Sequence, residues 1–533
     1  MPHAPRDPDG RGASGRNGAV AAATPEASRT GIEILRMGGN AVDAAVAAGF
    51  ANGVLEPHAN GLGGGGFMII RMAGMAEAAV IDFRGTAPGS ATPTLFQGAG
   101  RAATVGGLAA IVPAETAGLL LALERFGSGR ISRARILQPA IHWAGTGFPV
   151  SANLSRYIRE ASGKLRRFPA SAALYLPGGS ALEPGARLAN PDLAETLARI
   201  AAEGRDAFYR GGIAGRIVDE VQRTGGRLTL ADLAAYQPRL RRPVTGSYRG
   251  HTLMSVPPAS AGGTLLIELL QILETFDLVR SGAGAAHLWI EALRLVGADR
   301  ARHLGDSGFN AVPLARLTSK AYARSQAARI RPGRCLPGPG DPWRHPSGST
   351  THLSVLDRAG NMVALTKTIN DFFGCGVTVP GTGILLNDDM DDFSLSPDSP
   401  NAIAPGKRPL SSMSPTLVLD PAGRPWMTLG TPGGPRIVAT TAQIIANCVD
   451  FGMPIGAAIN APRLFLGEAG ELEAEGRLPA AVGAEMRRLG QRVVLRDDWD
   501  LYFGGAQAAV YDHERGIITG AADPRRDGQA AAF

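Results

Sequence analysis

The chain has 533 residues, enough for several domains or one large one, and its net charge of +7 is spread over short basic spots such as Lys164-Leu165-Arg166-Arg167 and Arg239-Leu240-Arg241-Arg242. Spots this short and scattered read as solvated faces and argue against a nucleic-acid partner. Three cysteines with no CxxC spacing and nine histidines with no HExxH pattern imply neither a disulfide framework nor a zinc site, so no metal and no cofactor are expected.

In chain order, Met1 to Gly18 is polar and rich in Gly, Pro and Arg, and residues 1–18 are expected to fray. This segment lacks the apolar core of a signal peptide, and no run of eighteen apolar residues follows anywhere. The expectation is a soluble chain without a membrane partner, cytoplasmic by default, and periplasmic or secreted if its start is misassigned. Thr24-Pro25 is a helix start, with the helix running to Met37 before Gly38-Gly39. Asn40 caps a second, Ala-rich helix to about Asn52. Asn60-Gly61-Leu62-Gly63-Gly64-Gly65-Gly66 then precedes the apolar run Phe67 to Ile70. Four glycines in a row suggest a phosphate loop, but the GKS/T ending is absent and a strand follows, so a tight packing turn beside a site fits better. Ala79 to Phe83 reads as a strand ending at Arg84, whose fork of donors suits a carboxylate.

The middle of the chain has helical spacing over Pro113–Phe126, Ser132–Ala144, Pro191–Ala202, Gly212–Arg223 and Thr229–Tyr236. A strand follows over Tyr248–Val256, then helices over Thr264–Phe276 and Ala285–Leu304. A segment rich in Pro, Gly and Arg, Arg329 to Ser347, leads into Gly348-Ser349-Thr350-Thr351-His352-Leu353-Ser354-Val355. Alternation there, the turn Arg358-Ala359-Gly360-Asn361 and a second run from Met362 to Ile369 predict a hairpin. The Thr350 hydroxyl at the head of that hairpin is placed to attack the Ser349 carbonyl, and the freed α-amine would then act as its base. The alternative is an ordinary β-branched strand residue. The run Gly383 to Asn387 leads into Asp388-Asp389-Met390-Asp391-Asp392, either an ammonium or metal subsite or a solvated turn. Strands are expected over Pro415–Leu419 and Trp426–Gly430, and a helix over Ile437–Asp450. Between the last two, Gly433 and Gly434 stand at a strand-to-helix turn, where free backbone N–H groups can face an oxyanion. The last residues, beyond Ala522, read as disordered.

Taken together, SerThrThrHis at 349–352, ThrIleAsn at 368–370, AsnAspAspMetAspAspPhe at 387–393, ArgProLeuSerSerMetSerPro at 408–415 and ProGlyGly at 432–434 resemble the γ-glutamyltranspeptidase family. GluPro at 56–57, the glycines at 63–66, AspPheArg at 82–84, SerValProPro at 255–258 and GlyGlyThr at 262–264 fall in the same family order. The resemblance implies an α+β N-terminal-nucleophile hydrolase, an αββα sandwich made as a precursor. It implies cleavage of Ser349–Thr350 into a large subunit (19–349, after the N-terminal segment) and a small one (350–533), which stay together as a heterodimer.

The resemblance also implies roles. Thr350 is the nucleophile and Thr368 its hydroxyl partner. Gly433 and Gly434 form the oxyanion hole. Arg84, Ser411 and Ser412 hold the α-carboxylate of a γ-glutamyl amide, and Asn370 and Asp392 its α-amine. Asp389, where the family usually has Glu or Gln, would face that amine as well. The product of the first step would be a γ-glutamyl ester on Thr350, passed to water or an acceptor amine. The chain departs from the family at 394–406, where many members carry a longer lid, and at Cys375, where a hydroxyl is common. The shorter lid leaves open an amidohydrolase or acylase on non-glutamyl amides, including oxamate-type ones; a third reading is an uncleaved, non-catalytic protein whose Gly-rich loops only pack or bind.

Overall fold

A computed structural model describes residues 11–96, 104–331, 333–336 and 349–533. Most of the linker expected before Ser349, and residues 1–10, lie outside the described residues. Two seven-stranded sheets stack face to face. One runs, edge to edge, Gln529–Ala532, Gly18–Ala22, Thr351–Asp357, Met362–Thr368, Gly65–Arg71, Ala79–Phe83 and Arg239–Arg241. The other runs Ala13–Gly15, Ile517–Ala522, Gln507–Asp512, Pro425–Gly430, Thr416–Leu419, His251–Ser255 and Val244–Tyr248. Every neighbouring pair within these two sheets is antiparallel.

Side-chain alternation builds the layers. On Met362–Thr368, Met362 and Ala364 face the other sheet and join Phe67, Ile69, Met254, Leu417 and Ala509 in the core between the sheets. Val363 and Leu365 point the opposite way, onto Pro25–Arg36, Ala41–Leu55 and the helices that follow. The second sheet turns Leu253, Val418 and Met427 outward onto Gly262–Leu273, Ala285–His303 and Ile437–Val449. The result is αββα. Local signals explain the first helices: Thr24 accepts from the Ala27 N–H with Pro25 at the first position, and Asn40 and Asp43 form a reciprocal capping box.

The Gly-rich run packs as a turn. A Cβ on Gly64 would come within 2.1 Å of the Thr368 carbonyl oxygen, and one on Gly66 within 2.4 Å of that of Thr366. Glycine is therefore what lets strand Gly65–Arg71 lie against strand Met362–Thr368.

Several expectations are corrected. Residues 13–15 do not fray: Ala13–Gly15 pairs with Ile518–Gly520. The C-terminal residues are also ordered, since Gln529–Ala532 pairs with Ala19–Ala22 and the Asn17 N–H donates to the Phe533 carbonyl at 2.8 Å. Both segments are short edge strands whose order comes from sheet pairing, which hydropathy does not report. The basic spot at 239–242 keeps a solvated face, with Leu240 and the Arg242 side chain exposed, while Arg239–Arg241 forms an edge strand of the first sheet.

Lys367, next to the site, points into the helical layer. Its Nζ donates to Glu115 Oε1 and to the Gly49 carbonyl, each at 2.6 Å, with both charged side chains fully buried. Burial pulls the Lys367 pKa down, against the charge of Glu115. Glu115→Ala leaves that ammonium buried and unpaired, an expected loss of about 3–5 kcal/mol in urea unfolding. The double change Glu115→Leu with Lys367→Met is expected to recover most of it, and equal losses in single and double variants would refute the account.

Candidate active site

Thr350 lies on the inner face at one end of the sandwich, where loops of both sheets meet. Its Oγ1 is 2.7 Å from the Ser349 carbonyl oxygen and 3.3 Å from Thr368 Oγ1. The Thr368 hydroxyl donates to that same carbonyl at 2.6 Å and accepts from the Asn370 N–H at 2.8 Å. Thr350 and Thr368 come together because their strands are neighbours, with Thr351 opposite Lys367. Arg526 Nη1 holds the Thr350 carbonyl at 2.7 Å, and the Ser349 hydroxyl donates to the His58 carbonyl at 2.8 Å.

Alternation separates the two threonines. Thr351 faces the helices, where its hydroxyl donates to Glu56 at 2.6 Å and accepts from Asn52 at 2.9 Å. That hydroxyl is fully engaged, whereas Thr350 opens onto a cleft. His352 faces inward with Thr350 but lies deeper, between Thr366 Oγ1 at 2.7 Å and Ser354 Oγ at 3.0 Å. Burial pushes its pKa down to about 3, so it is neutral and structural.

Thr350, Thr368, Asn370, Asp392, Ser411, Ser412 and Gly434 all line the cleft. Gly433 precedes it with φ of 135° and Gly434 lies in it with φ of 54°, both conformations that favour glycine. Sequence reasoning missed Arg300, which also lines the cleft. Its only signal was the charged pair Asp299-Arg300 late in the helix Ala285–His303. No residue of 394–406 lines the cleft. Instead, Asn401 Nδ2 donates to the Asp392 carbonyl at 2.6 Å, which folds this short loop back on itself. Cys375 is buried, and burial raises its thiol to about 12, so it is inert at neutral pH.

Two residues sit differently from expectation. Arg84 is fully buried behind the cleft, its guanidinium shared between Asp389, at 2.8 Å from Nη1, and Asp392. Asp389 is 1 % exposed and faces Arg84, which corrects the expectation that it faces the substrate amine. The short Asp side chain and the tight turn Asp389–Asp392 direct it inward. Burial works against the charge on Arg84, but the two carboxylates outweigh it and raise its pKa. One guanidinium against two acids leaves Asp389 over-supplied with negative charge. Burial first, and Asp392 after it, push its carboxyl to about 7 despite Arg84. Among the described residues, no group of three or more His, Cys, Asp or Glu side chains is placed to hold a metal ion.

An αββα sandwich with a hydroxyl residue heading a central inner strand defines the class of N-terminal-nucleophile hydrolases. Residues 27–533 match the family described as Gamma-glutamyltranspeptidase, and the chain belongs to that family. It is 39 % identical to the glutathione hydrolase proenzyme of Escherichia coli K12, covering 96 % of this chain and 90 % of that one. It is 41 % identical to the acylase ACY 1 proenzyme of Pseudomonas sp. strain SE83, covering 98 % and 94 %. Among solved structures, cephalosporin acylase from Bacillus halodurans superimposes with a TM-score of 0.91 at 30 % identity, covering 100 % of this chain and 98 % of that one. These relatives also overturn the cytoplasmic placement, since bacterial homologues of this kind are periplasmic or secreted. Among the described residues, no helix is long and apolar enough to cross a membrane.

The raised pKa of Asp389 has a measurable consequence. A carboxyl whose pKa rises on folding binds more protons folded than unfolded between the two values, so it costs stability as pH climbs through that window. For Asp389 the window runs from its ordinary 3.8 to about 7. Relative to Asp389→Asn, the unchanged protein is expected to lose thermal stability as pH rises across it. A difference in Tm that stays flat over the window would contradict the shift.

Proposed function

We propose that the chain matures by cleavage at Ser349–Thr350 and then transfers or hydrolyses γ-glutamyl amides, glutathione among them, through an ester on Thr350. The observation that carries the reading is the pair of threonine hydroxyls, Thr350 and Thr368, on the Ser349 carbonyl oxygen. In maturation, Thr350 Oγ1 attacks the Ser349 carbonyl carbon, the C–N bond breaks, and the acyl group moves to oxygen. Water then splits that ester, giving a carboxylate on Ser349 and a free α-amine on Thr350. Thr368 steadies the oxygen that gains charge. The small fragment begins at Thr350, and the two fragments form the working unit.

In turnover, the new amine has an ordinary pKa of about 7.7–8.0 and so exchanges protons near neutrality. It takes the hydroxyl proton as Thr350 attacks the γ-carbonyl, and returns one to the departing amine. The backbone N–H groups of Gly433 and Gly434 receive the oxyanion. Asp392 and Asn370 face the α-amine, Ser411 and Ser412 the α-carboxylate, and Arg84 supplies the positive charge for that carboxylate. Water or an acceptor amine then removes the γ-glutamyl group.

A second reading, an acylase for non-glutamyl amides, is favoured by one observation: Arg84 is covered by two carboxylates. Comparing γ-glutamyl-p-nitroanilide with glutaryl-p-nitroanilide, which lacks the amine, separates the two. Preference for the γ-glutamyl donor supports the first reading, and preference for the glutaryl donor the second.

Two outcomes are expected on maturation. Thr350→Ala stays a single chain on a denaturing gel, and cleavage at the same bond in that variant would exclude Thr350 as the attacking group. Thr368→Val slows cleavage by about 10²–10³-fold, the cost of removing one donor from a developing oxyanion, followed as the rate at which the small fragment appears.

A further inference from the structure

Arg84 is counter-charged twice over. Asp392 lines the cleft and is placed to meet a substrate ammonium, which would draw it partly away from Arg84. Asp389 has no such second task. It is 1 % exposed, absent from the cleft wall, and 2.8 Å from Arg84 Nη1. When a substrate amine engages Asp392, Asp389 stays on Arg84 and, in its ionised form, cancels the charge an incoming α-carboxylate would use. The two anions compete for one buried guanidinium, where like charges are little screened. An uncharged side chain at 389 would leave Arg84 with a single counter-ion.

We infer that Asp389 is a specificity-determining residue that competes with the substrate α-carboxylate for Arg84, and so sets how strongly the enzyme prefers donors carrying that carboxylate. The inference rests on the reading of Arg84 as the carboxylate's partner in a γ-glutamyl site. On this inference the recognition elements Arg84 and Asp392 are present but partly neutralised.

The test uses the matured enzyme, γ-glutamyl-p-nitroanilide, and the α-methyl ester of the same donor, which presents no negative charge to Arg84. Asp389→Asn is expected to lower KM for the carboxylate donor about tenfold, the effect of roughly 1.4 kcal/mol. KM for the ester is expected to change little, so the preference in kcat/KM rises by the same factor. Asp389→Gln should act in the same direction and serves if the Asn variant fails to mature. Asp389→Glu keeps the charge and should leave the preference near that of the unchanged enzyme. A preference unaltered in both neutral variants overturns the inference while leaving the γ-glutamyl reading intact. An equal loss on both donors, with the small fragment formed normally, overturns it too and makes Asp389 a structural support. Should the unchanged enzyme cleave neither donor, the γ-glutamyl reading falls and takes the inference with it.

Discussion

Strand Thr351–Asp357 is hydrogen-bonded along both edges, to Met362–Thr368 on one side and Gly18–Ala22 on the other. All its side chains are buried, so a slip of one residue would exchange the inward and outward sets wholesale. That would place Thr351 in the cleft and turn Thr350 into the helices. The register is pinned by unlike neighbours on the two faces. Inward, His352 and Ser354 are matched to Thr366 and the Gln507 carbonyl. Outward, Thr351 is matched to Glu56 and Asn52. A polar group on the wrong face would lose its partners in the dry interior, a cost of about 1–3 kcal/mol each. The position of Thr350 follows from that register.

The charges around the cleft serve two different ends. Lys367 and Glu115 are matched one to one and settle the packing beneath Thr368. Arg84 with Asp389 and Asp392 is mismatched by one acid. A balanced pair is structurally quiet, whereas an unbalanced triad responds to whatever ion arrives. That imbalance lies beside the cleft that Asp392 lines. The relatives are divided in name between glutathione hydrolases and acylases, and the same triad is where those two chemistries would part.

Much of this architecture could be read from the chain alone. Thr24-Pro25, Asn40 with Asp43, and the alternation on either side of Arg358-Ala359-Gly360-Asn361 carry their own local signals, and the elements stand where those signals put them. What escaped was whatever depends on partners distant in sequence. Ala13–Gly15 and Gln529–Ala532 are strands only because a sheet edge receives them. Thr350, Thr368, Asn370, Asp392 and the Ser411-Ser412 pair, which the motifs single out, line one cleft. The motifs could not show that Asp389 turns inward, since the direction of a side chain in a short turn is set by what surrounds it. Arg300 was invisible for the same reason: a helix position says nothing about which loop ends lie opposite.

The order of strands in the first sheet has one more implication. Read across, it alternates between the stretches before and after residue 349: Gln529–Ala532, then Gly18–Ala22, then the hairpin, then Gly65–Arg71. Cutting between Ser349 and Thr350 would release an amine but no piece of the protein, because each fragment is threaded between strands of the other. Once cut, however, the unfolded state would be two separate chains. Refolding would then require an encounter between them and would depend on concentration, while the uncut chain needs none. The instructions for assembly would belong to the precursor alone. The mature form would persist by the slowness of its unfolding rather than by any ability to return from it.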